Sequence, residues 1–217
     1  MSMPRDLVFV RHGQSEANVV QSADKEGLVH EQRDAISERP DWTQRLSRLG
    51  IEQARQAKEW IDLNLGGASS FDFRYFSPFL RTRETAAHIG GSDCGDWIIE
   101  DRVVERSWGI YGSLPRADRE EMFGLTTKMY KQSPWYTKLE GGESRYEVSH
   151  RFRDFQGTLH REGAGKRVLV VTHGDFMGNR ALQHRTHAAR KVRRSRERQI
   201  TIDDQLHDLA LLEKQSP

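Results

Sequence analysis

Two short apolar runs in this chain of 217 residues each end in a histidine followed by a glycine. Val8-Phe9-Val10 runs into Arg11-His12-Gly13, and much later Val168-Leu169-Val170-Val171 runs into Thr172-His173-Gly174. An imidazole at the end of a buried strand is held firmly and, when unprotonated, can act as a nucleophile or base. Glycine after it lets the chain turn and brings backbone N–H groups close to a ligand. Arg11 beside His12 adds a guanidinium, which stays charged and binds phosphate oxygens with two parallel hydrogen bonds.

A second arginine stands in Ser77-Pro78-Phe79-Leu80-Arg81-Thr82-Arg83-Glu84-Thr85-Ala86, where Pro78 ends a predicted strand and Arg81 falls near the start of the next helix. Arg83 competes with it for the same role. In Arg102-Val103-Val104-Glu105-Arg106-Ser107-Trp108-Gly109, Glu105 follows a third strand and is placed to exchange a proton with a substrate. Glu100 and Asp101 are alternatives, and an ion pair of Glu105 with Arg102 or Arg106 is the plainer reading. This combination suits transfer of an anionic group, since phosphoryl transfer needs positioning and charge stabilisation more than covalent chemistry from the protein.

The elements that must position these groups alternate between strand and helix along the chain. Leu7–Val10, Phe71–Phe76, Trp97–Ile99 and Arg167–Val171 read as strands, the first and last as continuous apolar runs suited to burial on both faces. Leu46, Leu49, Ala54, Ala57, Trp60 and Ile61 recur at helical spacing within Trp42–Leu65, with Gly66-Gly67 as a stop. RTRETAAHI forms another helix ending at Gly90-Gly91. Ser144 and Glu147 make a capping box before a helix whose apolar face carries Val148, Phe152, Phe155 and Leu159. Alternation of this kind predicts an α/β fold, a three-layer α/β/α domain with a largely parallel central sheet. The mixed segment Leu114–Gly142 is expected to form a small cap region. Ligands of open α/β sheets gather at the carboxyl ends of strands, so His12 and His173 are expected to meet at one site.

The set RHGQSEAN, SPFLRTRETA, ERSWG and THG, in that order and each after a predicted strand, resembles the histidine phosphatase superfamily, the phosphoglycerate mutase-like group, over roughly residues 6–182. The resemblance implies that His12 attacks phosphorus to form a phosphohistidine, and that Arg11, Arg81 and His173 hold the phosphoryl oxygens. It also implies a phosphate contact from Asn18, for which a turn or cap is the alternative, and a proton donor in Glu105. The expected reaction is metal-independent hydrolysis of a phosphomonoester in a small phosphorylated metabolite, without a cofactor. Mutase-type transfer to a second hydroxyl is the alternative, although the stretch from Val19 to Asp41 does not look like a mutase substrate loop. A metal-dependent phosphoesterase using His173 and Asp175 is the rival chemistry, but Arg11 beside His12 would repel a cation.

Composition limits the remaining readings. A single cysteine, Cys94, excludes an intramolecular disulfide, and the chain has no apolar run long enough to span a membrane and no secretory leader pattern; a cytoplasmic protein is expected. The net charge of +2 is uneven, because residues 180–217 hold nine Lys/Arg against five Asp/Glu and the rest is mildly acidic. A catalytic domain over residues 1–182 and an atypical basic tail over 183–217 follow from this. Where the resemblance implies a helix, a loop and a further strand, the chain instead reads QHRTHAARKVRRSRERQ. That stretch is a solvated extension, a site for nucleic acid or another polyanion, or a departure from an ancestral reading frame, with Ile200-Thr201-Ile202 still able to supply a strand. A non-catalytic polyanion-binding module is accordingly the reading from another class. Trp108 and Trp135 are candidate pocket walls.

Overall fold

Leu7, Val8, Phe9 and Val10 are all buried, which a strand achieves only when both faces of its sheet are covered. The computed structural model describes residues 3–91, 96–178 and 196–200. Its strands are β1 (Asp6–Arg11), β2 (Phe73–Phe76), β3 (Trp97–Ile99), β4 (Arg167–Thr172) and β5 (Arg196–Ile200). They form one sheet in the order β3-β2-β4-β1-β5, and every neighbouring pair is parallel. The helices are α1 (Glu16–Lys25), α2 (Arg33–Ser37), α3 (Arg48–Leu65), α4 (Leu80–Gly90), α5 (Gly109–Ser113), α6 (Arg116–Gln132) and α7 (Arg145–Glu162).

The alternation of side chains along the central strands divides the core in two. Leu7 and Phe9 of β1, with Val168 and Val170 of β4, face Val148, Phe152, Phe155 and Leu159 of α7. Val8, Val10, Leu169 and Val171 point the other way, onto Ala57 and Ile61 of α3 and Ala86 and Ile89 of α4. The predicted α/β/α layering with a parallel sheet is therefore the observed one. α7 opens on the expected capping box, in which the Ser144 hydroxyl accepts from the Glu147 N–H and the Glu147 carboxylate accepts from the Ser144 N–H.

Three boundaries differ from the sequence reading. The helix expected from Trp42 starts at Arg48, because the Ser47 hydroxyl accepts from the Gly50 N–H at 3.1 Å and caps it there. Asp41–Thr43 instead forms a separate single turn of 3-10 helix. The strand expected from Phe71 starts at Phe73, after a similar turn at Ala68–Ser70. The mixed segment Leu114–Gly142 is mostly α6, kinked at Phe123 where the backbone leaves helical geometry.

Register brings the site together. β1 pairs with β4 so that Arg11 lies opposite Thr172. The His12 N–H then donates to the Thr172 carbonyl at 2.9 Å, and the Ser77 N–H donates to the Val171 carbonyl at 3.1 Å. Three strands thus end level with one another. Within the basic stretch after residue 182, residues 196–200 are described and lie beside β1 as β5. The other expectations for residues 183–217 lie outside the described residues. Among the described residues, no helix is long and apolar enough to cross a membrane.

Candidate active site

His12 and His173 face each other with ring centroids 5.0 Å apart and planes inclined at 65°. One nitrogen of His12 is committed. Nδ1 lies 2.7 Å from the Gly13 carbonyl, which can only accept, so Nδ1 carries the proton and Nε2 presents a lone pair. Arg81 Nε donates to that Nε2 at 3.3 Å. Burial first, then the Arg81 charge, hold the His12 imidazole well below its usual pKa of 6.5, against an opposing pull from the Gly13 bond. His173 is held low for the same two reasons in the same order. Its Nε2 meets Ser77 Oγ at 2.8 Å, Phe79 packs edge-on against the ring at 5.0 Å, and buried Nδ1 has no protein partner.

The glycines serve a different purpose from the one expected. Gly13 does not adopt a positive φ. A side chain there would come within 2.2 Å of the Gly50 carbonyl oxygen, and one at Gly50 within 2.0 Å of the Gln14 carbonyl oxygen. Two backbones therefore pass in direct contact, fixing the loop after β1 onto the first turn of α3. The Gly13 N–H is already used inside the protein, donating to Thr85 Oγ1 at 3.2 Å. Gly174 makes room for an arginine, since a Cβ there would lie 3.2 Å from Arg11 Nε.

Arg81 is buried, whereas Arg83 is exposed, so the choice between them falls to Arg81. Its guanidinium is engaged by Asp41 from the turn before α3. Nη1 and Nη2 donate to the two carboxylate oxygens at 3.1 Å each, and Nη1 also donates to the Asp41 backbone carbonyl at 2.7 Å. The Asp41 side chain is more than half exposed. Glu105 is half-buried, and its carboxyl accepts from the backbone N–H groups of Arg106 at 3.0 Å, Phe176 at 3.2 Å and Asp175 at 3.5 Å. Burial, followed by the nearby Asp175 charge, raises its pKa to about 7. The alternatives are spoken for, because Glu100 pairs with Arg102 at 2.6 Å and Arg106 pairs with Asp175 at 3.0 Å.

Five of the six residues singled out from sequence thus stand at one sheet edge, with a nitrogen or oxygen of His12, Glu105 and His173 all within 4.8 Å of one another. Such a trio can hold a divalent ion, but the Arg81 guanidinium bonded to His12 puts a fixed positive charge against it, so the donor set fits a metal poorly. Asn18 is engaged elsewhere: its side-chain oxygen accepts from the Ser15 N–H at 3.1 Å and the Ser15 hydroxyl at 3.0 Å, capping α1. Trp108 lies 3.9 Å from the Arg106 guanidinium and stacks near Tyr111, so it walls Arg106. Trp135 receives the Tyr146 N–H on its carbonyl beside the start of α7. Sequence reasoning missed Asp41, Ser77 and Thr85, whose partners depend on loop path.

The sequence profile of the Histidine phosphatase superfamily (branch 1) matches residues 7–194. The chain belongs to the histidine phosphatase superfamily. Among curated members, it is 30% identical over 180 residues to a 2,3-bisphosphoglycerate-dependent phosphoglycerate mutase of Methylorubrum populi, covering 81% of this chain and 76% of that one. It is 27% identical over 167 residues to phosphoserine phosphatase 1 of Hydrogenobacter thermophilus, covering 77% and 70%. Among solved structures, the α-ribazole phosphatase of Shigella flexneri superposes with a TM-score of 0.65 at 19% identity, over 92% of this chain and 83% of that one. The mycobacterial glucosyl-3-phosphoglycerate phosphatase gives 0.63 at 21% identity, over 84% and 82%. At that identity the structural likeness carries the fold. The superfamily includes both phosphatases and mutases.

Proposed function

We propose that the chain is a metal-independent phosphatase that hydrolyses the phosphomonoester of a small metabolite through a phosphohistidine at His12. The observation that carries this reading is the His12 tautomer: Nδ1–H is tied to the Gly13 carbonyl, and a neutral Nε2 is presented beside Arg81 and within reach of Glu105. The Nε2 lone pair attacks phosphorus while the ester P–O bond breaks, and Glu105 gives its proton to the departing oxygen. Arg11, Arg81 and the unpartnered Nδ1 of His173 take up charge on the phosphoryl oxygens. A water then attacks the phosphohistidine, Glu105 regains a proton from it, the P–N bond breaks and inorganic phosphate leaves. A substrate phosphoryl group must displace Asp41 from Arg81, and the exposure of that carboxylate makes the exchange accessible.

The names of the mutase relatives favour a second reading, in which a substrate hydroxyl takes the phosphoryl group in place of water. Incubation with a panel of phosphomonoesters, with label on His12 trapped by a denaturing alkaline quench in which the acid-labile phosphohistidine survives, tests both. Release of inorganic phosphate with label that chases into water supports hydrolysis; label that chases only into a second phosphoester supports transfer. His12→Ala should abolish both turnover and labelling, and near-normal phosphate release by that folded variant overturns the assignment.

A further inference from the structure

Arg106 has a completely buried guanidinium in the loop that carries Glu105, and the carboxylate paired with it belongs to Asp175, two residues beyond His173. Arg106 Nε donates to Asp175 Oδ2 at 3.0 Å and Nη2 to the Tyr130 hydroxyl at 3.1 Å, while the Trp108 ring covers the guanidinium at 3.9 Å. The backbones of the same two residues clasp Glu105 from either side, through the Arg106 N–H at 3.0 Å and the Asp175 N–H at 3.5 Å. The side-chain pair therefore closes a ring around the carboxyl, tying the loop after β3 to the turn after β4. Neither residue belongs to the phosphoryl pocket.

We propose that Asp175 is a positioning residue for proton transfer by Glu105, its pair with Arg106 fixing the carboxyl opposite His12 and its charge keeping that carboxyl protonated between turnovers. The inference rests on the phosphatase reading for its kinetic consequences but not for its geometry. Three backbone N–H groups on one carboxyl would by themselves favour the ionised form, which is useless as an acid. Burial opposes them first, and a neighbouring negative charge second. The charged and titratable groups around Glu105 are Arg81 from α4, His12 after β1, His173 and Asp175 after β4, Arg106 beside it, and Arg151 of α7, which donates to the Val104 carbonyl at 3.2 Å. Both histidines are held neutral, Arg81 and Arg106 are cations, and Arg151 is met by Glu143 at 2.9 Å, so Asp175 is the negative charge that acts on Glu105 next after burial. Arg145 of α7, 3.8 Å from Asp175, partly offsets it.

Asp175→Asn tests this through two readouts. In the pH profile of kcat, the alkaline limb that reports Glu105 should move down by about one pH unit, lowering kcat about fivefold at pH 7 and about tenfold above pH 8 for an alkyl phosphomonoester. The burst of p-nitrophenolate from p-nitrophenyl phosphate, whose leaving group needs little protonation, should stay within about twofold. Equal losses on both substrates with an unmoved limb would make Asp175 structural only and overturn the proposal. The second readout needs no turnover: the infrared band of the protonated Glu105 carboxyl, identified by its loss in Glu105→Gln, should titrate at lower pH in Asp175→Asn. If the band shifts while no phosphomonoester is turned over by the unaltered protein, the positioning role stands and the phosphatase reading falls. Should Asp175→Asn fail to fold, Arg145→Gln removes the cation that offsets Asp175 and should move the same band upward. A band unmoved in the variant that folds overturns the proposal.

Discussion

In the proposed reaction, His12 and Glu105 must begin in opposite states, one without its proton and one with it. Burial arranges both, because a low-dielectric site disfavours charge on either group. The Glu105 pKa of about 7 puts an alkaline limb near neutrality, whereas the acid limb of kcat/KM for free enzyme should lie well below pH 6.5. A pH–rate profile checks both limbs, and an acid limb at 6.5 or above would contradict the environment described for His12. Stability follows the same groups. A glutamate whose folded pKa is raised from 4.5 to about 7 loses its favourable contribution as pH rises across that window. Glu105→Gln should therefore raise Tm more at pH 8 than at pH 5, while removing activity on alkyl phosphates. Asp41 sets a different test. Because its carboxylate occupies Arg81, Asp41→Asn should tighten binding of inorganic phosphate or vanadate roughly tenfold, about 1.4 kcal/mol. Unchanged affinity in a titration would mean that the pair does not compete with the ligand. Of these residues, the ones at strand ends were legible in the sequence. Asp41 was not, and Asp175 was legible as a candidate metal ligand but not as the partner of Arg106, because what they touch is decided by loops packed from elsewhere in the chain.

Elements were legible where one local rule set them and displaced where two rules competed. Helical spacing extends back to Trp42, yet Ser47 caps the helix and Leu46 is drawn into an antiparallel bridge with Ser15. The displaced residues became the turn that carries Asp41 into the site. Asn18 shows the same competition: a family position for a phosphate contact coincides with the N3 position of a capping box, where its side-chain oxygen is taken. The contact of Gly13 with Gly50 has no local signature, since neither residue needs an unusual φ. Gly50→Ala should destabilise the protein by about 3 kcal/mol, the upper end of the overpacking range, as read by denaturant unfolding. Activity should fall as well, because the yielding backbone is that of the turn behind His12. A fully active, equally stable Gly50→Ala variant would show that the two loops can part without consequence.

Over the whole molecule, the layering was legible because both faces of β1 and β4 are apolar, and the meeting of the two histidines because parallel strands end at a common edge. Strand order was not, since nothing in the local sequence of β1 names β4 and β5 as its neighbours. The charge state of the site also acts on the whole fold. Two histidines held neutral in the folded state take up protons on unfolding, so stability should fall as pH drops below 6.5, by up to about 2.7 kcal/mol per pH unit for two protons. Unfolding curves between pH 7 and 5 measure this, and His173→Gln should flatten the slope. A strong chelator should leave activity unchanged, given how poorly the donor set fits a cation beside Arg81. The position of β1 also has a consequence in time. Among the described residues, the strand that leads into His12 pairs with strands at 167–172 and 196–200, so at synthesis rates of 5–20 residues per second it waits roughly ten to thirty seconds for its first partner. During that interval an apolar strand with two open edges is exposed on the nascent chain, and it is then, rather than after folding, that the protein depends most on protection from aggregation.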